Sequence, residues 1–276
     1  MLDIAFLDSD DPLEQRVSCD LFDSETGLWT RLPEMVVERL YYPSIMAIQR
    51  GAGHRIYIFG GGKHENILDS CEFIDVGESE WTLLEARMAT RRHGARAVLL
   101  DHTTIVICGG YDGEQELASC DCLDLTTHTF SPFPDMLESR SPHAGLHYNG
   151  TIVVLGGQYG PDPSSEQFDP AVFKWTPFPP LEGSCQEDGA AVVDGKIYAI
   201  DVNFGVHVYA GAAWTAVTEM PPSRYSYIAA SVALGGKLVF VPAYRNDADV
   251  FDPDTNSWDL LPKMARDRGE VTAISF

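Results

Sequence analysis

The chain has 276 residues, with 41 acidic against 19 basic side chains and a formal charge of −22. That balance argues against nucleic acid or an anionic membrane as partner, because both reward clustered Lys and Arg; the acid serves either solubility or an acidic face for a basic partner. No run approaches 18 apolar residues, so no membrane-spanning helix is expected, and the N-terminal MLDIAFLDSDDPLEQ is acidic where a secretory leader would be basic.

In chain order, DIAFLD, VSCDLF and LWTRL read as strands, and the last two carry the first copy of a repeat with Asp23, Trp29 and Met35 spaced six and six. FIDVGESEWTLLEARM repeats it with Asp75, Trp81 and Met88, and CLDLTTHTFSPFPDM with Asp124, Phe130 and Met136. QFDPAVFKWTPFPPL gives Asp169, Trp175 and Leu181. HVYAGAAWTAVTEM keeps Trp214 and Met220 without the Asp, and VFDPDTNSWDLLPKM gives Asp252, Trp258 and Met264. The aromatic recurs every 39 to 52 residues, a period that signals a repeat architecture.

Residues 92–136 show the unit. GARAVLL and IVICGG are apolar runs separated by DHTT, then the loop YDGEQELAS leads into CDCLDL, the turn TTH and a last run TFSPF. Four short strands with turn residues between them predict one small antiparallel sheet. Asn149-Gly150, Asp194-Gly195 and Gly235-Gly236 are hairpin turns between first and second strands. Glycine pairs follow the second strand at Gly60 to Gly62, Gly109/Gly110 and Gly156/Gly157, where a Cβ is expected to be excluded. The terminal GEVTAISF matches a first strand, the one the N-terminal copy lacks.

A glycine pair, an aromatic–Asp, then Trp and Met at fixed spacing resembles the kelch repeat, and the resemblance covers essentially the whole chain. It implies an all-β, six-bladed β-propeller around a channel, with four antiparallel strands per blade. One blade is expected from 4–32 plus 271–276, closed by the C-terminal strand, and the others at about 39–87, 92–135, 140–180, 187–219 and 225–263, all in a single domain. Closure removes sheet edges that invite aggregation. The resemblance also implies a protein-binding module, acting as substrate receptor of a cullin-type ubiquitin ligase or as a cytoskeletal adaptor. The chain carries no BTB-, BACK- or F-box-like helical region, so that role is read from the family alone.

Four residues after the repeat Met stand Arg39, Arg92, Arg140, Arg224 and Arg268, with Cys185 in the remaining copy. In kelch-type adaptors, arginines at this position help bind acidic motifs, so an acidic or phosphorylated partner peptide is one expectation. A structural role competes. Asp20, Glu72, Asp121, Glu166 and Asp249 precede each repeat Asp by three, and His207 replaces the acid in the copy that lacks the Arg. Partners that disappear together are expected to pair within one blade.

Residues that vary between copies are the better recognition candidates. The loops after the second strands and before the first strands would gather Lys63, Arg91, His93, Tyr111, His143, Tyr159, Phe204, Tyr225, Tyr227, Tyr244 and Arg245 on one rim. Tyr and Arg are enriched in binding hot spots, and loops on rigid scaffolds carry function. No catalytic motif is found: HExxH, GxSxG and a phosphate loop are all missing. His143 and His147 would stand about 13 Å apart along a strand. Cys120 and Cys122 lack the further ligands that zinc requires, so neither metal nor cofactor is expected. Cys19, Cys71 and Cys120 fall where other copies have Ser165 and Ala248, which marks them as small core residues; reduced thiols fit a cytoplasmic protein. The alternative is a metabolite-binding or enzymatic propeller that uses the central pocket, favoured by titratable groups concentrated there, whereas an aromatic bowl favours peptide binding.

Overall fold

The computed structural model describes residues 2–8, 18–40, 42–63, 66–157, 164–224, 228–243, 245–264 and 271–275. The expectations for Tyr159, Tyr225, Tyr227, Tyr244 and Arg268 lie outside the described residues.

The chain forms an all-β propeller, and among the described residues there are six four-stranded antiparallel sheets. Five are built from consecutive stretches of chain. The second sheet has strands Ser44–Arg50, Gly53–Phe59, Cys71–Asp75 and Thr82–Leu83, and the third Arg96–Asp101, Thr104–Cys108, Cys120–Asp124 and Thr129–Phe133. The fourth comprises Ala144–Tyr148, Thr151–Leu155, Ser165–Asp169 and Lys174–Phe178. The fifth comprises Cys185–Val193, Lys196–Asp201, Gly205–Tyr209 and Trp214–Glu219, and the sixth Ile228–Leu234, Lys237–Pro242, Asp249–Asp252 and Ser257–Leu260. The first sheet is composite: Val271–Ser275 pairs antiparallel with Leu2–Asp8, from Ile4 opposite Ser275 to Asp8 opposite Val271, and Ser18–Asp23 and Leu28–Arg31 complete it.

The innermost strands face one axial cavity of about 290 Å³, to which Met46, Val98, Leu146, Ala191, Val232 and Ile274 each contribute from a different sheet. The middle of each second strand is mainly apolar because both of its faces are covered by neighbouring sheets; Ile56, Tyr57, Ile58 and Phe59 are all buried, as are Val153, Val154 and Leu155. Outermost strands such as Leu28–Arg31 and Ser257–Leu260 are mostly exposed, and there the polar residues collect.

The repeat residues each have a physical task. Oδ1 of Asp23 accepts from the backbone N–H groups of Glu25 and Thr26, Asp124 from Thr126 and Thr127, and Asp252 from Asp254 and Thr255. Each Asp thus closes an Asx-type turn between third and fourth strands. Four residues on, Gly27, His128, Phe173 and Asn256 take φ values of 69°, 54°, 53° and 53° to finish that turn. Asp75 departs from the pattern and holds Arg55 through two contacts of 2.6 Å.

In four sheets the repeat Trp ties the sheet to the one before it, whereas the third sheet has Phe130 and the Trp258 indole of the sixth finds no partner among the described residues. The indole N–H of Trp81 donates to Pro33 O, that of Trp175 to Pro134 O and that of Trp214 to Pro179 O, each at 2.9 Å. Trp29 of the composite sheet makes the same bond to Pro262 O, behind the sixth sheet, at 3.2 Å. The ring is therefore closed by a side-chain bond as well as by the terminal strand.

Glycine pairs make room for the next sheet. Gly109 has φ 66°, and a Cβ there would lie 2.7 Å from Arg140 O; at Gly110 it would lie 2.6 Å from His93 O. The N–H of Gly110 instead donates to Arg140 O at 2.8 Å. Backbone is packed against backbone here, and only glycine allows it.

Candidate partner-binding rim

The ring arginines are spent inside the scaffold. Arg39, Arg92 and Arg140 are 0%, 1% and 3% exposed. Arg39 Nε contacts Glu72 Oε1 at 2.8 Å, Arg92 Nη2 contacts Asp121 Oδ2 at 2.8 Å, and Arg140 Nη2 contacts Glu166 Oε1 at 3.0 Å. Each pair lies within one sheet's repeat. The same guanidinium also donates to two carbonyls: Arg39 to Gly60 O and Ser70 O, Arg92 to Gly109 O and Ser119 O, and Arg140 to Gly156 O and Ser164 O. The acids in turn accept from the loop after the repeat Met, at Val36 N, Ala89 N and Leu137 N. Three similar cages result, with each buried charge paired and hydrogen-bonded, as burial demands, although the Nε of Arg92 is left without a partner among the described residues. The expectation of a guanidinium ring open to an acidic peptide is corrected for these three positions, because none of them reaches the surface.

In the sixth sheet the cage is looser. Asp249 is shared between Arg224 at 3.2 Å and Arg245 at 3.3 Å, and Arg245 also holds Asp247 at 2.7 Å. Burial raises the Asp249 carboxyl above its ordinary value, and the two guanidinium groups oppose that shift. The fifth sheet, where the sequence has Cys185 and His207, uses a different device. His207 Nε2 lies 2.8 Å from Asp201 Oδ2, while Gln186 donates to Asp201 O and accepts from Ile228 N of the sixth sheet.

The channel carries a charge pair that the sequence reading did not single out. Arg96 of the third sheet meets Asp188 of the fifth, both lining the axial cavity, and Arg96 Nε also donates to His143 O at 3.1 Å. Arg96 passes over Gly145 of the fourth sheet, where an added Cβ would lie 2.9 Å from Arg96 Cβ. Asp188 sits at φ 41° in the irregular part of its strand, between the paired positions Cys185 and Ala190. Among the described residues, no group of three or more His, Cys, Asp or Glu is arranged to hold a metal ion.

The rim itself divides the remaining expected residues. His93 and Tyr111 are brought together: His93 N donates to Tyr111 O at 3.1 Å, Tyr111 N to His93 O at 2.8 Å, and the rings lie 5.5 Å apart. Tyr42 stacks on the other side of His93 at 5.8 Å and 23°, and its carbonyl accepts from Gly94 N at 2.9 Å. Tyr111 is also bridged to Glu116 across the turn that Asp112 caps. These residues, with Ser141 and Pro142, line a pocket of about 440 Å³. Burial lowers the pKa of His93, which keeps the ring neutral near pH 7, and raises that of Glu116.

The other expected rim residues are distributed differently. His143 is corrected outright: it is 1% exposed beneath Gly109, with both ring nitrogens unpaired. Phe204 is half-buried and packs on the core between the fifth and sixth sheets. Lys63 is 44% exposed and holds Glu38 at 2.5 Å, while Arg91 is 53% exposed and lies 3.8 Å from Glu114. Tyr42 and Glu116 were missed by the sequence reading. Glu116 lies inside the quoted loop YDGEQELAS, but nothing in a single sequence says which of that loop's acids faces inward.

Comparison with known proteins agrees with this architecture. Residues 91–137 and 139–182 match the Kelch motif. The chain is 23% identical over 257 residues to human Kelch-like protein 23, covering 91% of this chain and 38% of the relative. It is 26% identical over 151 residues to spermatocyte protein spe-26 of Caenorhabditis elegans, covering 52% of this chain and 26% of that protein. An F-box/kelch-repeat protein of Arabidopsis thaliana is 22% identical over 242 residues, covering 82% of this chain and 66% of that protein. The chain thus spans less than half the length of Kelch-like protein 23 and of spe-26. With its repeat glycines, Asp turns, Trp ties and buried Arg cages, the chain is a β-propeller that carries Kelch motifs and is similar to Kelch-like proteins.

Proposed function

We propose that the chain is a non-catalytic protein-interaction module, a six-bladed ring whose composite sheet is the sixth blade, which seats a segment of a partner protein on the rim around Tyr42, His93 and Tyr111. The observation that carries this reading is the rim pocket: three aromatic residues whose backbone is tied down, His93 and Tyr111 by reciprocal hydrogen bonds and Tyr42 by a bond from Gly94 N, so little backbone ordering is left to be done on binding. The axial cavity is smaller and lined mainly by short apolar side chains, with Arg96 and Asp188 already engaged. An aromatic bowl on loops favours peptide recognition over chemistry in the channel.

In the whole protein this module would select the substrate of a cullin-type ubiquitin ligase or tether a cytoskeletal partner. Similarity to proteins described as Kelch-like and F-box/kelch supports that direction. A cytoplasmic location goes with it and is supported by six free cysteines, five of them buried. The test is selection of a random peptide library on the purified chain, followed by titration of the selected peptides against Tyr111→Ala. The reading predicts that the best peptides weaken at least tenfold in the variant. Peptides that bind both proteins equally, or that turnover of a metabolite accompanies instead, would overturn it.

A further inference from the structure

We propose that the rim pocket is a subsite for a basic side chain, receiving the ammonium or guanidinium of a Lys or Arg in the partner segment; this rests on the protein-binding reading above. The pocket combines two features that serve a cation and no other charge. Tyr42, His93 and Tyr111 are among its lining residues, with neighbouring rings 5.8 and 5.5 Å apart, and the faces of tyrosine rings attract cations within about 6 Å. Its lining includes Glu116, for whose carboxylate no ion pair or hydrogen bond is found among the described residues and whose pKa is shifted by burial alone.

That carboxylate is the decisive group. A half-buried acid without a counter-charge is an unfavourable arrangement, and a bound cation would offset its desolvation. The exposed guanidinium of Arg91 is not among the described lining residues and approaches Glu114 at 3.8 Å. His93 is held neutral by burial, so it does not repel a cation. An acidic ligand would find no cation among the described lining residues, and Arg92 and Arg140 are enclosed in their cages. The formal charge of −22 adds attraction at longer range, raising the encounter rate with a basic segment at low salt.

The geometry is also pre-set. The backbone links Tyr42 to Gly94, His93 to Tyr111 and Tyr111 to Glu116, so the segments that carry the rings and the carboxylate are fixed relative to one another before a ligand arrives. A volume of about 440 Å³ admits a long side chain together with part of the backbone that carries it.

Four small probes decide the matter: n-butylammonium, n-propylguanidinium, n-butanol and butyrate, each titrated by NMR against the purified chain, Glu116→Gln and Tyr111→Leu. The two cations should bind at least fivefold tighter than n-butanol, and butyrate should bind weakest. Glu116→Gln should abolish that preference with little change in n-butanol binding, while Tyr111→Leu, which keeps apolar bulk but removes the ring, should weaken the cations more than n-butanol. Equal binding of cations and n-butanol overturns the proposal, as does preference for butyrate or a cation preference that survives Glu116→Gln. Thermal midpoints of both variants confirm that they are folded. Because the probes need no partner, their failure beside successful peptide selection removes the basic subsite and leaves the protein-binding reading intact.

Discussion

Arg96 and Asp188 join the third and fifth sheets by an ion pair that reaches over the fourth. The contact is long-range in the sequence and depends on Gly145, whose missing side chain leaves the path open. It fastens innermost strands that share no hydrogen bonds, so it resists independent motion of the sheets at the narrowest part of the ring.

Removing one member of that pair should cost more than removing both. Arg96→Met leaves Asp188 without its counter-charge in a largely apolar channel, a loss of about 1–3 kcal/mol. The double variant Arg96→Met/Asp188→Ala should recover part of it. Urea midpoints of the three proteins measure this, and additive losses would contradict it.

The buried Arg cages should be the most sensitive positions in the molecule. Arg92→Met strands the Asp121 carboxylate at a site where both side chains are almost fully enclosed, which costs about 3–5 kcal/mol. Arg224→Met, at a site where Arg245 also serves the same acid, should cost clearly less. Denaturation of the two variants side by side gives the comparison.

Ring closure can be weakened without touching the terminal strand. Trp29→Phe keeps the packing on Phe22 but deletes the bond to Pro262 O, a change of about 0.5–1.5 kcal/mol. Hydrogen exchange should then accelerate in Val271–Ser275 and Leu2–Asp8 before it does in the fourth sheet. Uniform acceleration throughout the chain would show that closure is not the step affected.

Acid should destabilise the protein below about pH 6.5, the ordinary histidine value. Burial, and then the charges of Arg140, Arg96 and Arg92, hold the pKa of His143 well below that value. The unfolded chain therefore binds a proton that the folded chain refuses. Stability is full above pH 6.5 and falls as the pH drops, by at most about 1.4 kcal/mol per pH unit for this group. His93 contributes in the same direction. His143→Leu should shrink the difference between urea midpoints at pH 7.5 and 5.5; an unchanged difference would assign the acid sensitivity elsewhere.

Much of the fold was legible because its signals are local. An Asp turn closes over four residues and fixes its own geometry, as Asp124 shows with Thr126, Thr127 and His128. Glycine pairs and hairpin dipeptides likewise declare a backbone requirement that any reader of the chain can see. Pairing of Arg39, Arg92 and Arg140 with acids was legible through the joint loss of both partners at Cys185 and His207.

The site was only half legible. His93 and Tyr111 were among the residues expected on the rim, and they do meet there. His143 has the same residue type and a similar loop position, yet it lies buried under Gly109. Which way a loop side chain turns depends on neighbouring sheets some 50 residues away, and no local pattern records that.

The repeat, the strand order within each unit and the need for charged partners in the interior can be read from the residues alone, since all of these follow from spacing and from the cost of burying an unpaired charge. That Arg96 finds Asp188 across the axis, and that Tyr42 and Glu116 join His93 and Tyr111 in one pocket, emerges with the folded ring. Those contacts arise from the angle at which closed sheets present their loops to one another, a property of the assembled ring and of no single segment.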